Sequence, residues 1–264
     1  MLSPLFATGW PLTPLDAAFQ LGPRPIARHR VLLLPLIARA FRGGAARVQY
    51  LSHDRPDLSL AAVVLSGKMA QPHESDLALL QRVASYLQYR PTMATVFMWK
   101  LAAPHSGLQA YSDSDWGSCQ STRKSRSGGI LLFKGRPILH FCRTQDSISL
   151  SSGEAELKAS CKILAETLGI QHLIHFLFGS VCHIEHLTDA QAALGIIKRS
   201  GCGGLKHLCI RQLWVQSIAR RPEVTTTKVP RVVNPADALC SLNTMDSLAR
   251  HLARMSCQFA EPPV

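Results

Sequence analysis

The sequence lacks several patterns that would place it in well-known classes. Its eight cysteines form no Cys-x-x-Cys pair, which argues against a zinc ribbon and against a disulfide scaffold. Reduced thiols in an intracellular, non-secreted protein are the expected state. The longest apolar run, at 31–41, is interrupted by a proline and an arginine and is too short to cross a bilayer. No membrane partner is therefore expected.

Two short segments near residue 200 carry only weak signals for a ligand. Cys202, His207 and Cys209 lie close together in the sequence, but one such cluster without a second ligand pair is weak evidence for a metal site. The glycine-rich stretch that ends in Lys206 lacks the glycine spacing and the following serine or threonine of a phosphate-binding loop. Neither segment predicts a site by itself.

Acidic residues are scarce. The chain has 17 of them against 29 lysines and arginines, so the formal net charge is +12. A charge of this sign and size predicts a polyanionic partner, with nucleic acid ahead of an acidic membrane surface. Because the acids are few, the places where they occur are informative.

The pattern divides the chain into four parts. Residues 1–45 are rich in proline and arginine and predict an irregular leader, with a mitochondrial transit peptide as the less favoured interpretation. Residues 46–105 carry apolar side chains at helical spacing and predict a connector of two helices, followed by a first strand near 95–101. A folded domain is expected at 106–243 and a tail at 244–264.

Within the domain, the pattern predicts an antiparallel meander, a long helix at 152–178 and two further strands separated by short helices. The predicted strands are at 108–112, 128–133, 138–142, 183–188 and 224–229, and a last helix starts near Asn234. Strands and helices in this order make a mixed sheet with helices packed on it. The expected fold class is therefore α/β (α+β).

Four acids fall where the ends of strands and helices would bring them together. They are Asp113 at the end of the first meander strand, Glu156 in the first turns of the long helix, Asp189 at the end of the fourth strand and Asp237 at the start of the last helix. Half-buried carboxylates repel one another unless a cation lies between them. Mg²⁺ ions supply that charge, since hard cations prefer carboxylate oxygens. Each acid alone has an ordinary explanation as a turn, cap or first-turn residue; their combined order favours a two-metal site.

Short motifs surround these acids in a fixed order. Along the chain follow Tyr-Ser-Asp-Ser-Asp-Trp at 111–116, Arg-Lys-Ser-Arg-Ser-Gly at 123–128, Leu-Ser-Ser-Gly-Glu-Ala-Glu at 150–156, Thr-Asp-Ala-Gln at 188–191, Lys-His at 206–207, and Val-Pro at 229–230 with Ala-Asp at 236–237. They resemble the motifs of the ribonuclease H domain that ends copia-type retrotransposon Pol polyproteins. Upstream, 48–57 resembles the segment that joins the reverse transcriptase to this nuclease. The resemblance covers about residues 40 to 242.

The resemblance implies a ribonuclease H-like fold, with a five-stranded mixed sheet flanked by helices, and an endonuclease that cuts the RNA strand of an RNA–DNA hybrid. It implies two Mg²⁺ ions, with Mn²⁺ as a substitute. Asp113 would bridge both ions, Glu156 and Asp189 would complete the ion that faces the leaving group, and Asp237 would serve the ion that activates water. A reverse transcriptase domain of the same polyprotein is the implied protein partner. The Tyr-x-Asp-Asp signature of the polymerase is absent from the sequence, so no reverse transcription by this chain is expected.

A hybrid duplex is recognised through its shape, phosphates and 2′-hydroxyls. Basic and polar side chains near the acids are the candidates for these contacts, with an ordinary solvated face as the alternative for the basic ones. The candidates are Arg123, Lys124, Ser127, Ser152, Gln191, Lys206 and His207.

Four features depart from the motifs of the family. Thr188 replaces a cysteine, Ala190 replaces an asparagine, and Cys209 replaces the acid that usually follows Lys-His-Ile. The final segment reads Asp-Ala-Leu-Cys-Ser at 237–241 rather than ending in Thr-Lys. None of these changes removes a predicted metal ligand. They leave open a second interpretation, in which the chain is a catalytically decayed module that binds RNA or the hybrid without cleaving it.

Overall fold

The computed structural model describes residues 31–97, 107–204 and 207–259. Its strands are β1 (Met93–Thr95), β2 (Leu108–Asp115), β3 (Arg126–Phe133), β4 (Arg136–Thr144), β5 (Ile184–Thr188), β6 (Val224–Lys228) and β7 (Cys257–Phe259). Its α-helices are α1 (Pro35–Leu51), α2 (Ser59–Ser66), α3 (Glu74–Tyr89), α4 (Ser152–Phe178), α5 (Gln191–Lys198), α6 (Ile210–Ile218), α7 (Asp237–Cys240) and α8 (Met245–Arg254).

Five of the strands form one mixed sheet in the order β4-β3-β2-β5-β6. The meander β2-β3-β4 is antiparallel, whereas β5 runs parallel to β2 and β6 runs parallel to β5. β1 and β7 form a separate antiparallel pair. The predicted α/β fold, with a five-stranded mixed sheet flanked by helices, is confirmed.

Local sequence signals explain the best-predicted elements. Lys134 and Gly135 both have positive φ, 49° and 74°, and they form the two-residue turn between β3 and β4, as expected for a tight hairpin. At the start of α4, the Ser151 hydroxyl accepts a hydrogen bond from the Glu154 amide, while the Glu154 carboxylate accepts one from the Leu150 amide. This capping arrangement begins the helix, and Gly179 at φ 66° ends it.

Helices cover both faces of the sheet. One core lies between the sheet and α4, α5 and α6, and it includes fully buried leucine and isoleucine side chains such as Leu131 and Ile163. A second core lies on the other face, where Ile130 and Leu132 of β3 pack against α7 and α8. Adjacent residues of β3 thus serve opposite cores, as the alternation of side chains along a strand requires.

The helices α1, α2 and α3 have a core of their own and are joined by a buried polar network. Arg55 donates two hydrogen bonds to Asp57, at 3.0 and 2.7 Å, and the Tyr86 hydroxyl donates to Asp57 at 2.7 Å. This unit also packs on the sheet, because Leu60 of α2 lies in one cluster with Cys142 of β4 and with Cys240 of α7. Within the described ranges, no helix is both long enough and apolar enough to cross a membrane.

Two of the predicted parts differ from the structure at the ends of the chain. The predicted irregular leader is wrong from Pro35 onward, because α1 begins there: proline is tolerated in the first turn, and Phe41, Ala45 and Val48 bury one face of the helix. Residues 1–30 lie outside the described part. The predicted tail contains α8 and β7, whose Leu248 and Leu252 belong to the second core, so that prediction is also wrong up to residue 259.

Smaller differences concern element boundaries. The connector has three helices rather than two, and the strand expected near 95–101 is β1, which ends at Thr95; residues 98–106 lie outside the described part. β2 continues to Asp115, so Asp113 lies inside the strand rather than after it. Its pairing with β3 extends through Ser114 and Asp115, and this pairing overrides the local turn signal of the acids.

Candidate metal centre

Three of the predicted acids meet at one edge of the sheet. One carboxylate oxygen of each of Asp113, Glu156 and Asp189 lies within 4.8 Å of the others. Ser112 of β2 pairs with Thr188 of β5 in parallel register, so the next residue of each strand, Asp113 and Asp189, extends from the same edge. Glu156 reaches them from the second turn of α4. Three different elements therefore converge on one small volume.

The pKa values of the three carboxyl groups are all raised, mainly by burial. Burial raises the pKa of Asp113 to about 7, and the neighbouring charges of Asp189 and Asp237 raise it further. Burial also raises the pKa of Glu156 to about 9, with added repulsion from Asp113 and Asp189. One oxygen of Glu156, Oε1, accepts a hydrogen bond from the Ser114 amide at 3.2 Å. The other, Oε2, is buried and has no hydrogen-bond partner among the residues that the structure describes.

This arrangement fits a divalent cation with a preference for oxygen. Carboxylate oxygens are the ligands that Mg²⁺ and Mn²⁺ take in proteins, and a buried carboxylate oxygen without a partner is costly unless a cation or a donor satisfies it. Among the described residues, these three acids are the only group of three or more side chains placed to share a metal ion. Cys202, His207 and Cys209 do not form such a group.

Asp237 lies next to the three acids but is not one of the group. Burial raises the pKa of both Asp113 and Asp189, and the charge of Asp237 adds to this rise, so Asp237 is close enough to interact with them. Its Oδ1 accepts two hydrogen bonds from Arg231, at 3.0 and 2.8 Å, and its Oδ2 lies 3.9 Å from Nε2 of His251. The structure thus brings three predicted ligands together and gives the fourth a partner of its own.

Two residues allow the segment that carries Asp237 to approach β2 and β3. Gly128 pairs with Asp113 in the sheet register, and a Cβ on this glycine would lie 2.6 Å from the carbonyl oxygen of Ala236. Glycine is therefore required for the close approach of α7. The buried Asn234 donates a hydrogen bond to the carbonyl oxygen of Ser112 at 2.9 Å and ties the same segment to β2.

Several known proteins are similar in sequence to about half of this chain. No protein-family model matches the chain. The uncharacterized mitochondrial protein AtMg00810 of Arabidopsis thaliana is 36% identical over 129 residues, which are 48% of this chain and 51% of that protein. The secreted RxLR effector protein 161 of Plasmopara viticola is 32% identical over 114 residues, which are 43% of this chain and 78% of the effector. The retrovirus-related Pol polyprotein from transposon RE1 of Arabidopsis thaliana is 33% identical over 134 residues, which are 51% of this chain.

The chain is thus similar in sequence to a segment of retrotransposon Pol polyproteins. The chain spans about half the length of AtMg00810 and 9% of the length of the RE1 polyprotein. Among solved structures, ribonuclease H1 from Halobacterium salinarum NRC-1 is similar to it, with 20% identity, a TM-score of 0.37 and coverage of 50% of this chain and 93% of that one.

Two of the predicted nucleic-acid contacts lie at the starts of the helices that follow the acids' edge of the sheet. Ser152 and Gln191 are the exposed first residues of α4 and α5. The starts of these helices lie side by side, because a Cβ on Gly153 would lie 3.0 Å from the Cβ of Ala192. Both side chains therefore flank the edge where Glu156 and Asp189 meet.

The predicted basic contacts lie on connecting segments. Arg123 is exposed and Lys124 is partly exposed in the loop between β2 and β3. His207 has Nε2 3.3 Å from a carboxylate oxygen of Glu154, so it is paired with an acid that also caps α4. Lys206 lies outside the described residues.

The predicted contact through Ser127 is wrong. This serine is 3% exposed, and its hydroxyl accepts a hydrogen bond from Nε2 of Gln145 at 2.9 Å. A side chain that points into the sheet interior and is already paired does not reach a duplex. The alternation along β3 explains the difference, because the predicted surface loop ends at Ser125 and the strand begins at Arg126.

Three further residues at the centre were not predicted from the sequence. Arg231 binds Asp237, and His251 of α8 lies on its other side. Cys240 donates a hydrogen bond from Sγ to Oδ2 of Asp113 at 2.9 Å. No local pattern distinguishes one arginine among many or one buried cysteine among eight. For Arg231 and Cys240 the signal available was their spacing of a few residues from Asp237, which places them in the same segment; His251, on the next helix, had no such signal.

Proposed function

We propose that the chain is a divalent-metal-dependent endonuclease that cleaves the RNA strand of RNA–DNA hybrids, as a segment of a copia-type retrotransposon Pol polyprotein. The observation that carries the proposal is the convergence of Asp113, Glu156 and Asp189, buried or half-buried and with an unpartnered oxygen on Glu156. Similarity to a segment of retrotransposon Pol polyproteins supports the assignment to this reaction, and the high positive charge supports a nucleic-acid substrate.

In the proposed reaction, Asp113, Glu156 and Asp189 would hold one Mg²⁺ or Mn²⁺ ion, and Asp113 with Asp237 would hold a second. Such ions supply positive charge to the attacking and leaving oxygens of a phosphodiester and lower the pKa of bound water. The chain itself orients the ligands: the Ser114 amide holds Glu156, and Asn234 holds the segment that carries Asp237. Arg231 has to leave Asp237, at least in part, before that carboxylate serves an ion.

The substrate would lie along the sheet edge that carries the acids. Ser152 and Gln191 flank that edge, and we assign them to sugar or minor-groove contacts. Arg123 and Lys124 are assigned to backbone phosphates, since their charges lie on an accessible loop. A reverse transcriptase domain of the same polyprotein is the proposed source of the hybrid.

The test is cleavage of an end-labelled RNA–DNA hybrid by the purified chain with Mg²⁺, with Mn²⁺ and with a chelator. We expect cleavage of the RNA strand only when a metal is present, no cleavage of duplex DNA, and loss of cleavage in Asp113→Asn. The matched control is Asp146→Asn. Asp146 is an exposed acid that pairs with Arg211 and is not one of the three converging acids. Folded protein that cleaves with neither metal would contradict the proposal.

A second candidate function is a catalytically decayed module that binds RNA or hybrid. The pairing of Asp237 with Arg231 favours it, because a carboxylate already neutralised by arginine is a weaker metal ligand. This module would bind the hybrid with an affinity that falls steeply as salt rises, and it would show no turnover at any metal concentration. Binding and cleavage measured on the same hybrid separate the two candidates.

A further inference from the structure

The carboxylate of Asp113 has one neutral hydrogen-bond donor. Cys240, the last residue of α7, is fully buried, and its Sγ lies 2.9 Å from Oδ2 of Asp113. Within the described ranges, this is the only hydrogen bond that the Asp113 side chain accepts. The thiol therefore determines how this carboxylate is oriented.

The position of the sulfur atom is fixed from several sides. Gly128 lies opposite Asp113 in the sheet, and a Cβ there would be 3.0 Å from Sγ of Cys240. Leu60 of α2 and Cys142 of β4 pack on Cys240 in the same buried cluster. Because these contacts leave the thiol little room to rotate, its direction is set by packing rather than by the hydrogen bond alone.

A thiol and a guanidinium have opposite consequences for a metal ligand. Arg231 neutralises the charge of Asp237, whereas a neutral S–H group orients a carboxylate and leaves its negative charge available to a cation. Groups that hold a metal ligand in place without being ligands themselves commonly change metal affinity or activity when they are removed. Cys240 has the chemistry and the location of such a group.

We propose that Cys240 is a positioning residue for Asp113, and that packing by Leu60 makes the helical unit α1–α3 part of the support of the metal centre. The proposal rests on the proposed function, because the role of Asp113 as a metal ligand does. It concerns the direction of one carboxylate and requires no covalent step.

The test compares three variants of the full chain: Cys240→Ala, Cys240→Ser and Cys142→Ala. Serine keeps a donor at position 240 and alanine does not. Cys142→Ala removes a buried sulfur from the same cluster without touching Asp113, so it controls for lost packing. We expect Cys240→Ala to weaken Mg²⁺ binding about tenfold or more and to lower kcat, while Cys240→Ser restores most of both. Cys142→Ala keeps the donating thiol and should lose clearly less affinity than Cys240→Ala.

A spectroscopic measurement tests the hydrogen bond without metal or substrate. The Raman difference spectrum of wild type minus Cys240→Ser isolates one S–H stretching band. We expect this band at the lowered frequency of a donating thiol, and we expect it to move upward in Asp113→Asn, because an amide oxygen is a weaker acceptor than a carboxylate.

Each outcome decides a different point. Equal loss of affinity in Cys240→Ala and Cys142→Ala, or failure of serine to restore it, overturns the positioning role and leaves only packing. An S–H band at the frequency of a free thiol overturns it as well. If wild type neither binds Mg²⁺ nor cleaves while the band is lowered, the proposed function fails and the role in metal binding fails with it, but the hydrogen bond itself stands.

Discussion

Arg231 donates two hydrogen bonds to the same oxygen of Asp237, from Nε at 3.0 Å and from Nη2 at 2.8 Å. The arginine side chain is 71% exposed and the aspartate side chain is 8% exposed, so the pair lies at the border between the buried acids and solvent. Only the aspartate of this pair is buried, so the arginine is able to move away into solvent while Asp237 keeps its buried position.

From this pair we predict that Arg231→Gln lowers the Mg²⁺ concentration needed for half-maximal cleavage. An exposed ion pair contributes roughly 0.2–1 kcal/mol, so the expected shift is at most about fivefold. The measurement is the cleavage rate of the hybrid as a function of Mg²⁺ concentration. Arg211→Gln, which removes an exposed arginine paired with Asp146, is the control; the same shift in both variants would point to a general effect of charge.

Replacement of Glu156 by glutamine is predicted to stabilise the metal-free fold. Burial raises the pKa of this carboxyl from 4.5 to about 9. At pH 7 the unfolded carboxyl is ionised and the folded one is protonated, so the carboxyl opposes folding increasingly as the pH rises from 4.5 toward 9. We expect Glu156→Gln to raise the free energy of unfolding by about 1–3 kcal/mol at pH 7 without metal, measured by urea titration, and to abolish cleavage.

The control for this free energy of unfolding is a partly exposed acid of the same helix, Glu166. Glu166→Gln removes an acid from the same helix that is paired with Arg143 at the surface, and it should not stabilise the protein. A Glu156→Gln variant that is less stable than wild type without metal would show that the three acids do not repel one another in the folded chain.

Gly128→Ala is predicted to displace α7. The new Cβ would lie 2.6 Å from a backbone oxygen of Ala236, and a backbone atom is not able to yield as a flexible side chain does. Overpacking of this kind costs about 1–3 kcal/mol, and the displaced segment carries Asp237. We expect a lower melting temperature and a loss of cleavage, whereas Gly195→Ala, where a Cβ has no atom within 4 Å, should leave both unchanged or raise stability slightly. Full activity in Gly128→Ala would contradict the proposed docking.

Stability is predicted to fall between pH 6.5 and pH 4 because of His186. This histidine is completely buried, and burial lowers its pKa from 6.5 to about 4; its Nε2 lies 3.1 Å from the Ser112 hydroxyl. In this window the unfolded imidazole binds a proton that the folded one does not, so the free energy of unfolding decreases as the pH falls. The loss from this group reaches on the order of 3 kcal/mol at pH 4.

The check is a series of urea titrations between pH 7 and pH 4. His186→Asn should flatten the dependence on pH even if it lowers stability overall, because it removes the titrating group. His183→Gln, at an exposed position just before β5, should leave the slope unchanged. A wild-type protein with no such slope would mean that His186 is not buried in solution.

Much of the fold followed from local patterns. The strands predicted at 128–133 and 138–142 are β3 and β4, and the long helix predicted at 152–178 is α4 at its observed bounds. The convergence of Asp113, Glu156 and Asp189 also followed, because the two strands and the helix that carry them were predicted in the right order, although β2 continues two residues past Asp113. Their roles as metal ligands stay a prediction.

What local patterns missed has a common cause. The helix α1 and the segment with α8 and β7 carry proline, arginine and polar residues that make weak local signals, and they are ordered by packing on distant parts of the chain. Ser127 was expected at the surface because its neighbours are basic, while the register of β3 turns it inward.

The sequence by itself determined which elements form, in which order they follow, and which acids stand at the sheet edge, since periodicity, caps and turn residues act over a few positions. Only the tertiary structure decided the partners of those acids. Cys240 donates to Asp113 across 127 residues of chain, and Asp237 pairs with Arg231 rather than joining the other three acids. Such contacts depend on how helices and strands pack, and no periodicity within a segment encodes the neighbour that packing brings to it.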